Sequence, residues 1–270
     1  MILVTGGRGA VATCLQTLLR EHDLAVRVAS NAPDAQVRLN LTDPATFPAA
    51  LAGVTSVFLY AEAKHIDEFI AEAVAAGVQH IVLLSSSSVL SPDADNDMLA
   101  KSHLDVEKAL LASPIQTTVL RPGSFAANAG GWAWAIKSRR PVSLPYPGAY
   151  TDPIHEQDVA EAAFAALTDP RHRGGRFTLT GPEAMTFIEQ LEVLMRVTGL
   201  DIDIQPVTRD QWKAEMAEYI PGPYAEALLN FWESTDGRPL ALTSAVEELT
   251  GHPARSFTVW ATDHATDFKH

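Results

Sequence analysis

A doubly wound α/β fold, a parallel sheet covered by helices on both faces, is the architecture this sequence predicts. Three observations carry that prediction. Short apolar runs alternate with amphipathic stretches from residue 2 to residue 120, the pattern of repeated strand–helix–strand units. Runs such as Ile81-Val82-Leu83-Leu84 show no polar alternation, as expected of strands buried on both faces. A glycine-rich turn, Thr5-Gly6-Gly7-Arg8-Gly9-Ala10-Val11-Ala12, separates the first apolar run from the first amphipathic stretch.

The elements follow in order. Ile2-Leu3-Val4 is the first strand, and Val11 to Arg20 is the first helix, because Val11, Leu15, Leu18 and Leu19 share one face. Leu24 to Ala29 and Val37 to Leu41 read as the second and third strands, the latter ending at Thr42-Asp43-Pro44, a helix-start signal. Ser56 to Tyr60 is the fourth strand, Ile66 to Ala76 a helix stopped by Gly77, and His80 to Leu84 the fifth strand. The sheet continues through Thr117 to Leu120. From Gly130 the texture changes, with Trp132, Trp134, Tyr146 and Tyr150 set among Gly and Pro, which predicts loop rather than sheet. A helix from Asp158 to Leu167, with Asp158 as its cap, and a strand from Phe177 to Thr180 come next. Helices are then expected at 187–197, 209–218, 224–231 and 244–250, and Trp260 to Phe268 reads as a terminal helix docked on them. The domain reading is a core of 1–130 with 150–181 returning to it, and a smaller, mostly helical cap of 182–270 plus the loop 131–149.

Composition narrows the function. The formal charge of −13 opposes binding to nucleic acid or to an anionic membrane surface. One cysteine, Cys14, rules out an internal disulfide framework and suits a reducing compartment; on the first helix it reads as a small core residue. The nine histidines show no metal-ligand spacing, so no metal is expected. The segment after Met1 lacks the basic and apolar regions of a signal peptide, and no run of about 18 apolar residues is present. The expectation is a cytoplasmic protein, monomeric or homodimeric, acting on a small molecule.

The glycine turn points to that small molecule's partner. A pyrophosphate reaches a helix N-terminus only where the backbone turns tightly and no Cβ intervenes. Gly6 and Gly9 take the first two positions of a G-x-x-G-x-x-G spacing, and Ala12 takes the third, where close helix–strand packing is the need. A plain tight turn would fit the glycines too, but their place between strand and helix favours a dinucleotide held by Gly6, Gly7, Arg8, Gly9, Ala10 and Val11. The second strand ends Ala29-Ser30-Asn31, without the acid that holds a ribose 2′-hydroxyl in NAD sites. Arg8, with Ser30 and Asn31, would suit a 2′-phosphate, so NADP(H) is expected in preference to NAD(H); a solvated surface charge is the alternative for Arg8. Ligands of parallel sheets lie at the carboxyl ends of the strands, which adds Tyr60, Ala61 and the segment Pro122-Gly123-Ser124-Phe125.

Thr-Gly-x-x-Gly after the first strand, Leu39-Asn40-Leu41-Thr42-Asp43, Leu83-Leu84-Ser85-Ser86, Leu120-Arg121-Pro122-Gly123 and Thr180-Gly181-Pro182-Glu183-Ala184-Met185-Thr186-Phe187 recur here in order. The sequence resembles, over nearly its whole length, the NmrA-like branch of the atypical short-chain dehydrogenase/reductases, and within it the triphenylmethane reductases and NAD(P)H:quinone reductases. That resemblance implies a Rossmann fold and cofactor contacts from Asn40, Leu41, Ser85, Ser86, His103 and Pro122 to Phe125. Asp152-Pro153-Ile154-His155 and Asp158-Val159-Ala160 match a further recurring segment.

Typical short-chain dehydrogenases carry a Tyr-x-x-x-Lys pair on the helix after the fifth strand, the Tyr protonating the nascent alkoxide. Registering Glu107 with the usual acid puts Leu99 at the Tyr position and His103 at the Lys position. Lys101 cannot substitute, since residues two apart on a helix point to nearly opposite sides. His103 is therefore the candidate catalytic or ribose-binding residue; a core histidine paired with Glu107 is the alternative. Without the phenol, a quinone-like, cationic or conjugated acceptor is expected rather than a simple ketone, with Asn128, Trp132 and Tyr146, and also Trp134, as candidate lining of an aromatic pocket. The tryptophans could equally pack the cap. Two readings stay open: an NAD(P)H-dependent oxidoreductase without a Tyr-Lys pair, and a non-catalytic sensor of the NADP(H) state.

Overall fold

The computed structural model describes residues 1–32 and 34–269. The first half runs β1 (Ile2–Val4), α1 (Ala10–Glu21), β2 (Val26–Ser30), β3 (Val37–Arg38), α2 (Phe47–Leu51), β4 (Ser56–Tyr60), α3 (Ile66–Ala75), β5 (His80–Leu84), α4 (Lys101–Ala112) and β6 (Gln116–Pro122). The second runs α5 (Ala133–Lys137), β7 (Val142–Leu144), β8 (Tyr150–Thr151), α6 (Glu156–Thr168), β9 (Arg176–Leu179), β10 (Met185–Thr186), α7 (Phe187–Thr198) and β11 (Ile204–Pro206). Four helices close the chain: α8 (Arg209–Met216), α9 (Gly222–Thr235), α10 (Ala245–Thr250) and α11 (Phe257–Asp263).

Seven strands form one sheet in the order β3-β2-β1-β4-β5-β6-β9, and every pairing in it is parallel. This is the predicted doubly wound sheet. All five residues of β5 are buried, because helices cover both faces of the strand. On one face lie α1, with Val11, Leu15 and Leu19 inward, and α6. Ala160, Ala162, Ala163 and Ala166 of α6 are fully buried; with methyl groups at these positions α6 can lie close to α1 and the sheet. The other face is closed by Phe47 of α2, Phe69 of α3 and Val106 and Leu110 of α4. The chain order of the strands reverses between β1 and β4, which places a ligand crevice at the carboxyl ends of those strands.

Several elements differ from the sequence reading. β3 stops at Arg38, not Leu41, since Asn40 Oδ1 accepts from Thr42 N at 3.0 Å and turns the chain. α4 begins at Lys101, leaving Leu99 in the preceding turn. α6 begins at Glu156 because His155, not Asp158, caps it: His155 Nδ1 accepts from Gln157 N at 3.1 Å. Asp158 lies inside the helix. The stretch after Gly130 holds more than loop: β7 pairs with β11 in parallel, and β8 pairs with β10 in an antiparallel bridge. Nor does a boundary at 181/182 divide the packing, for Ala245, Val246 and Leu249 of α10 join the core beside α6. The rest of the C-terminal part builds its own core around Phe187, Leu191, Leu194 and Phe257, where α7 and α11 meet. No helix among the described residues is long and apolar enough to cross a membrane.

Candidate active site

The turn after β1 has the geometry an anion requires. Gly6 sits at φ +58°, a left-handed conformation that side chains rarely adopt. A Cβ on Gly9 would fall 2.7 Å from Tyr60 Oη, and one on Gly7 would fall 2.3 Å from Val28 Cγ1. The turn is thus closed to any larger residue and flanked by the Tyr60 ring. α1 starts directly after Gly9 with no side-chain cap and no acid in its first turn, so its leading N–H groups are available to a phosphate. Burial pushes the Tyr60 phenol up against the pull of the Ala12 N–H, which keeps it an uncharged wall beside the phosphate site. Ala12 itself is fully buried, and Val11 turns its side chain into the core, so Val11 can offer a ligand only its backbone. These features fit a dinucleotide.

Around that turn the other expected contacts are placed unevenly. Arg8 is exposed and paired with Asp34, an acid that the sequence reading did not connect with it. Ser30 Oγ accepts from Ala32 N at 3.3 Å, and Asn31 is exposed beside it. The oxygen of the Asn40 side chain is engaged by Thr42, while Leu41 and Ala61 are half-buried against the core.

At the carboxyl ends of β5 and β6 opens a cleft of about 1160 Å³. Ser86, His103, Gly123, Ser124 and Asn128 line it from the core side. Pro122 is buried behind it, and Phe125 packs on the core. Ser85 points elsewhere: its Oγ donates to Glu107 Oε1 at 2.5 Å. Glu107 is held as well by Arg121, whose Nε and Nη2 donate at 3.0 and 2.5 Å. This buried ion pair fixes the ends of β5 and β6 to α4. The alternative of a His103–Glu107 pair is thereby set aside, and His103 Nδ1 is a buried atom without a hydrogen-bond partner. Burial pulls the His103 pKa down, with Glu107 opposing, so the ring faces the cleft as neutral imidazole at neutral pH.

The aromatic lining is not the one expected. Trp132 stacks edge-on against Phe187, the Tyr146 hydroxyl accepts from Arg209 at 3.2 Å, and Trp134 is exposed under the Arg140 guanidinium. None of these three borders the cleft, because the short elements between 133 and 151 fold into the cap. Its far wall is instead α9, with Tyr224 and Phe231, and Leu99 closes it near α4. Asp152 also borders it, a residue the sequence reading assigned no role. A separate group, Asp158, Glu161 and His252, has ligand atoms within 4.8 Å of one another. Arg255 already donates to both carboxylates, so a cation's charge is supplied there by the chain itself.

A family model described as NAD(P)H-binding matches residues 6–170. The chain belongs to this NAD(P)H-binding family. A (4-alkanoyl-5-oxo-2,5-dihydrofuran-3-yl)methyl phosphate reductase of Streptomyces griseus is 35% identical, with 99% of each chain covered. An NAD(P)H azoreductase of Xenophilus azovorans is 30% identical, again over 99% of each. Among solved structures, the NADPH complex of the Escherichia coli quinone oxidoreductase QOR2 superposes with a TM-score of 0.82 at 22% identity, covering 97% of this chain and 99% of that one. The protein is an NAD(P)H-dependent oxidoreductase, and the fold and family expected from its motifs are those found.

Proposed function

We propose that this oxidoreductase transfers hydride from NAD(P)H, with NADPH preferred, to a conjugated or quinone-like small molecule. One observation carries the reading. The cleft joins the carboxyl edge of the sheet to α9, whose Tyr224, Leu228 and Phe231 offer apolar and aromatic surface among the polar Glu226 and Asn230, and Leu99, the residue that the sequence register sets at the tyrosine position, lines it with carbon alone. When bound, NAD(P)H supplies the hydride. The chain's part is to hold the pyrophosphate on the N–H groups after Gly9, to seat the nicotinamide end beside Ser124 and His103, and to hold a flat acceptor against Phe231. Preference for NADPH rests on Arg8, exposed at the edge of the turn. Its pair with Asp34 is exposed as well, so it opens at little cost, about 0–1 kcal/mol, when a 2′-phosphate competes.

The test follows NADPH absorbance with a panel of quinones, cationic dyes and enones. Turnover with at least one acceptor, abolished in Gly9→Asp, is the expected result. Tight binding without consumption across the panel would instead support a sensor of the NADP(H) state.

A further inference from the structure

An acceptor that becomes an oxyanion or a nitrogen anion on reduction needs a proton. Leu99 cannot give one. His103, half-buried and with its pKa pulled down by burial, is a base rather than an acid at neutral pH. Among the described residues of the lining, Asp152 is the buried ionisable side chain.

Asp152 follows β8 and is 5% exposed. Its Oδ1 accepts from Ser124 N at 2.8 Å, which fixes the carboxyl against the segment leaving β6. Its Oδ2 occupies the space of a side chain at position 123: a Cβ on Gly123 would lie 1.9 Å away. Glycine at 123 is therefore what lets the carboxyl lie at the cleft wall. No cation is paired with Asp152 among the described residues. Arg121 on β6 is turned to Glu107, and His155 is turned to Glu156 and Asp263. From the opposite sides of the cleft face His103, Asp93 and Asp97, with Glu226 and Arg238 on and beyond α9.

We propose that Asp152 is the proton donor of the reduction, standing in for the absent tyrosine; the inference rests on the reductase reading above. The acceptor gains a hydride as a C–H bond of the reduced nicotinamide breaks and that ring is oxidised. The charge left on the acceptor oxygen or nitrogen takes the Asp152 proton: the carboxyl O–H bond breaks and a new O–H or N–H bond forms. Water entering the cleft reprotonates the carboxylate. Burial pushes the Asp152 pKa up to about 6, against the Ser124 N–H; a nicotinamide ring bound over the carboxyl would exclude more water and drive it higher.

Asp152→Asn keeps the shape and the acceptor oxygen for Ser124 N while removing the acid. With NADPH and a quinone, kcat of the unaltered enzyme is expected to fall as pH rises through the Asp152 pKa. In Asp152→Asn that dependence is lost and kcat drops roughly 10²–10⁴-fold at pH 6. With a cationic triarylmethane dye, whose reduction needs no proton, the loss is at least about tenfold smaller. A second readout does not depend on turnover: calorimetric titration of NADPH at pH 7 in buffers of different ionisation enthalpy shows proton uptake, and Asp152→Asn abolishes it. Equal losses with both acceptors, or an unchanged pH profile and proton uptake, would overturn the assignment. Should Asp152→Asn not fold, Asp152→Glu serves: a displaced inflection supports the proposal, and an unmoved one sinks it. If no acceptor consumes NADPH, the reductase reading fails, while proton uptake still reports on Asp152.

Discussion

Replacing Glu107 by glutamine removes one charge from the pair that ties α4 to the carboxyl ends of β5 and β6. The side chains of Glu107 and Arg121 are 2% and 15% exposed, so neither is screened by bulk water to any large extent. Three donors converge on the carboxylate, from Ser85 Oγ and from Arg121 Nε and Nη2. A glutamine can keep the bonds on one oxygen, but its NH₂ then faces the Arg121 Nη2, donor against donor. One charge-assisted bond is lost, about 1.5–3 kcal/mol, and a guanidinium is left short of its partner, about 1–3 kcal/mol more. A loss of about 3 kcal/mol follows, within the range seen when one member of a buried pair is removed. At a urea m-value of about 3 kcal/mol/M the unfolding midpoint falls by about 1 M. The double variant Glu107→Leu with Arg121→Met removes both charges and is expected within about 1 kcal/mol of the unaltered protein. A Glu107→Gln stability within about 0.5 kcal/mol of the original, or a double variant less stable than the single, would refute the reasoning.

Two further predictions concern charge. Arg8→Ala is expected to lower the preference for NADPH over NADH about tenfold, the worth of one exposed charge-assisted contact to the 2′-phosphate. Asp34→Asn frees Arg8 and raises NADPH affinity a few-fold, leaving NADH unmoved; tryptophan quenching reads both, and an unchanged ratio in Arg8→Ala removes Arg8 from the site. His80, the first residue of β5, is fully buried against Thr118 of β6, and burial pulls its pKa down to about 4. Below the unfolded value of about 6.5 the unfolded chain binds a proton that the folded one refuses, so stability falls as pH drops from about 6.5 towards 4. Between pH 7 and 5 this amounts to about 2 kcal/mol, which His80→Gln should abolish in urea titrations; an equal slope in the variant would contradict it.

The sheet was legible because its signals are local. The β5 run and the Val11–Leu15–Leu19 stripe each declare themselves within ten residues, and the Gly6–Gly9 spacing marks the turn between β1 and α1. Much of the site was not, because it depends on contacts between distant positions. Asp152 acquires its place only by lying on Gly123, and Arg8 meets Asp34 only through the course of the loop after β2. Glu107 marks the register in the sequence, yet what it does is decided by Arg121 on β6 and Ser85 just past β5. Trp132 misled for the same reason: aromatic residues among glycines suit a binding loop and a packed cap equally well, and Phe187 decides for the cap. Strands of two residues, such as β8 and β10, carry too few side chains to show a period at all.

The same division bears on what this oxidoreductase can distinguish. The glycine turn and the segments leaving β4 and β6 stand on the sheet, which is held from both faces by the two large cores. The far wall of the cleft stands on α9, which rests on a small cluster of its own around Trp212, Ala225 and Leu229. Arg209 of α8 ties α9 down through Glu226, Asn230 and Glu233, of which Glu226 and Asn230 also line the cleft. Changes at Tyr224 or Phe231 can therefore reshape the acceptor space without disturbing the cradle at Gly6–Gly9, some 200 residues away in sequence. Relatives covering the whole chain are named for an azo compound in one case and a furanone phosphate in another, as one fold with different sites allows. On the function proposed above, α9 rather than the glycine turn would be the place where the acceptor is chosen.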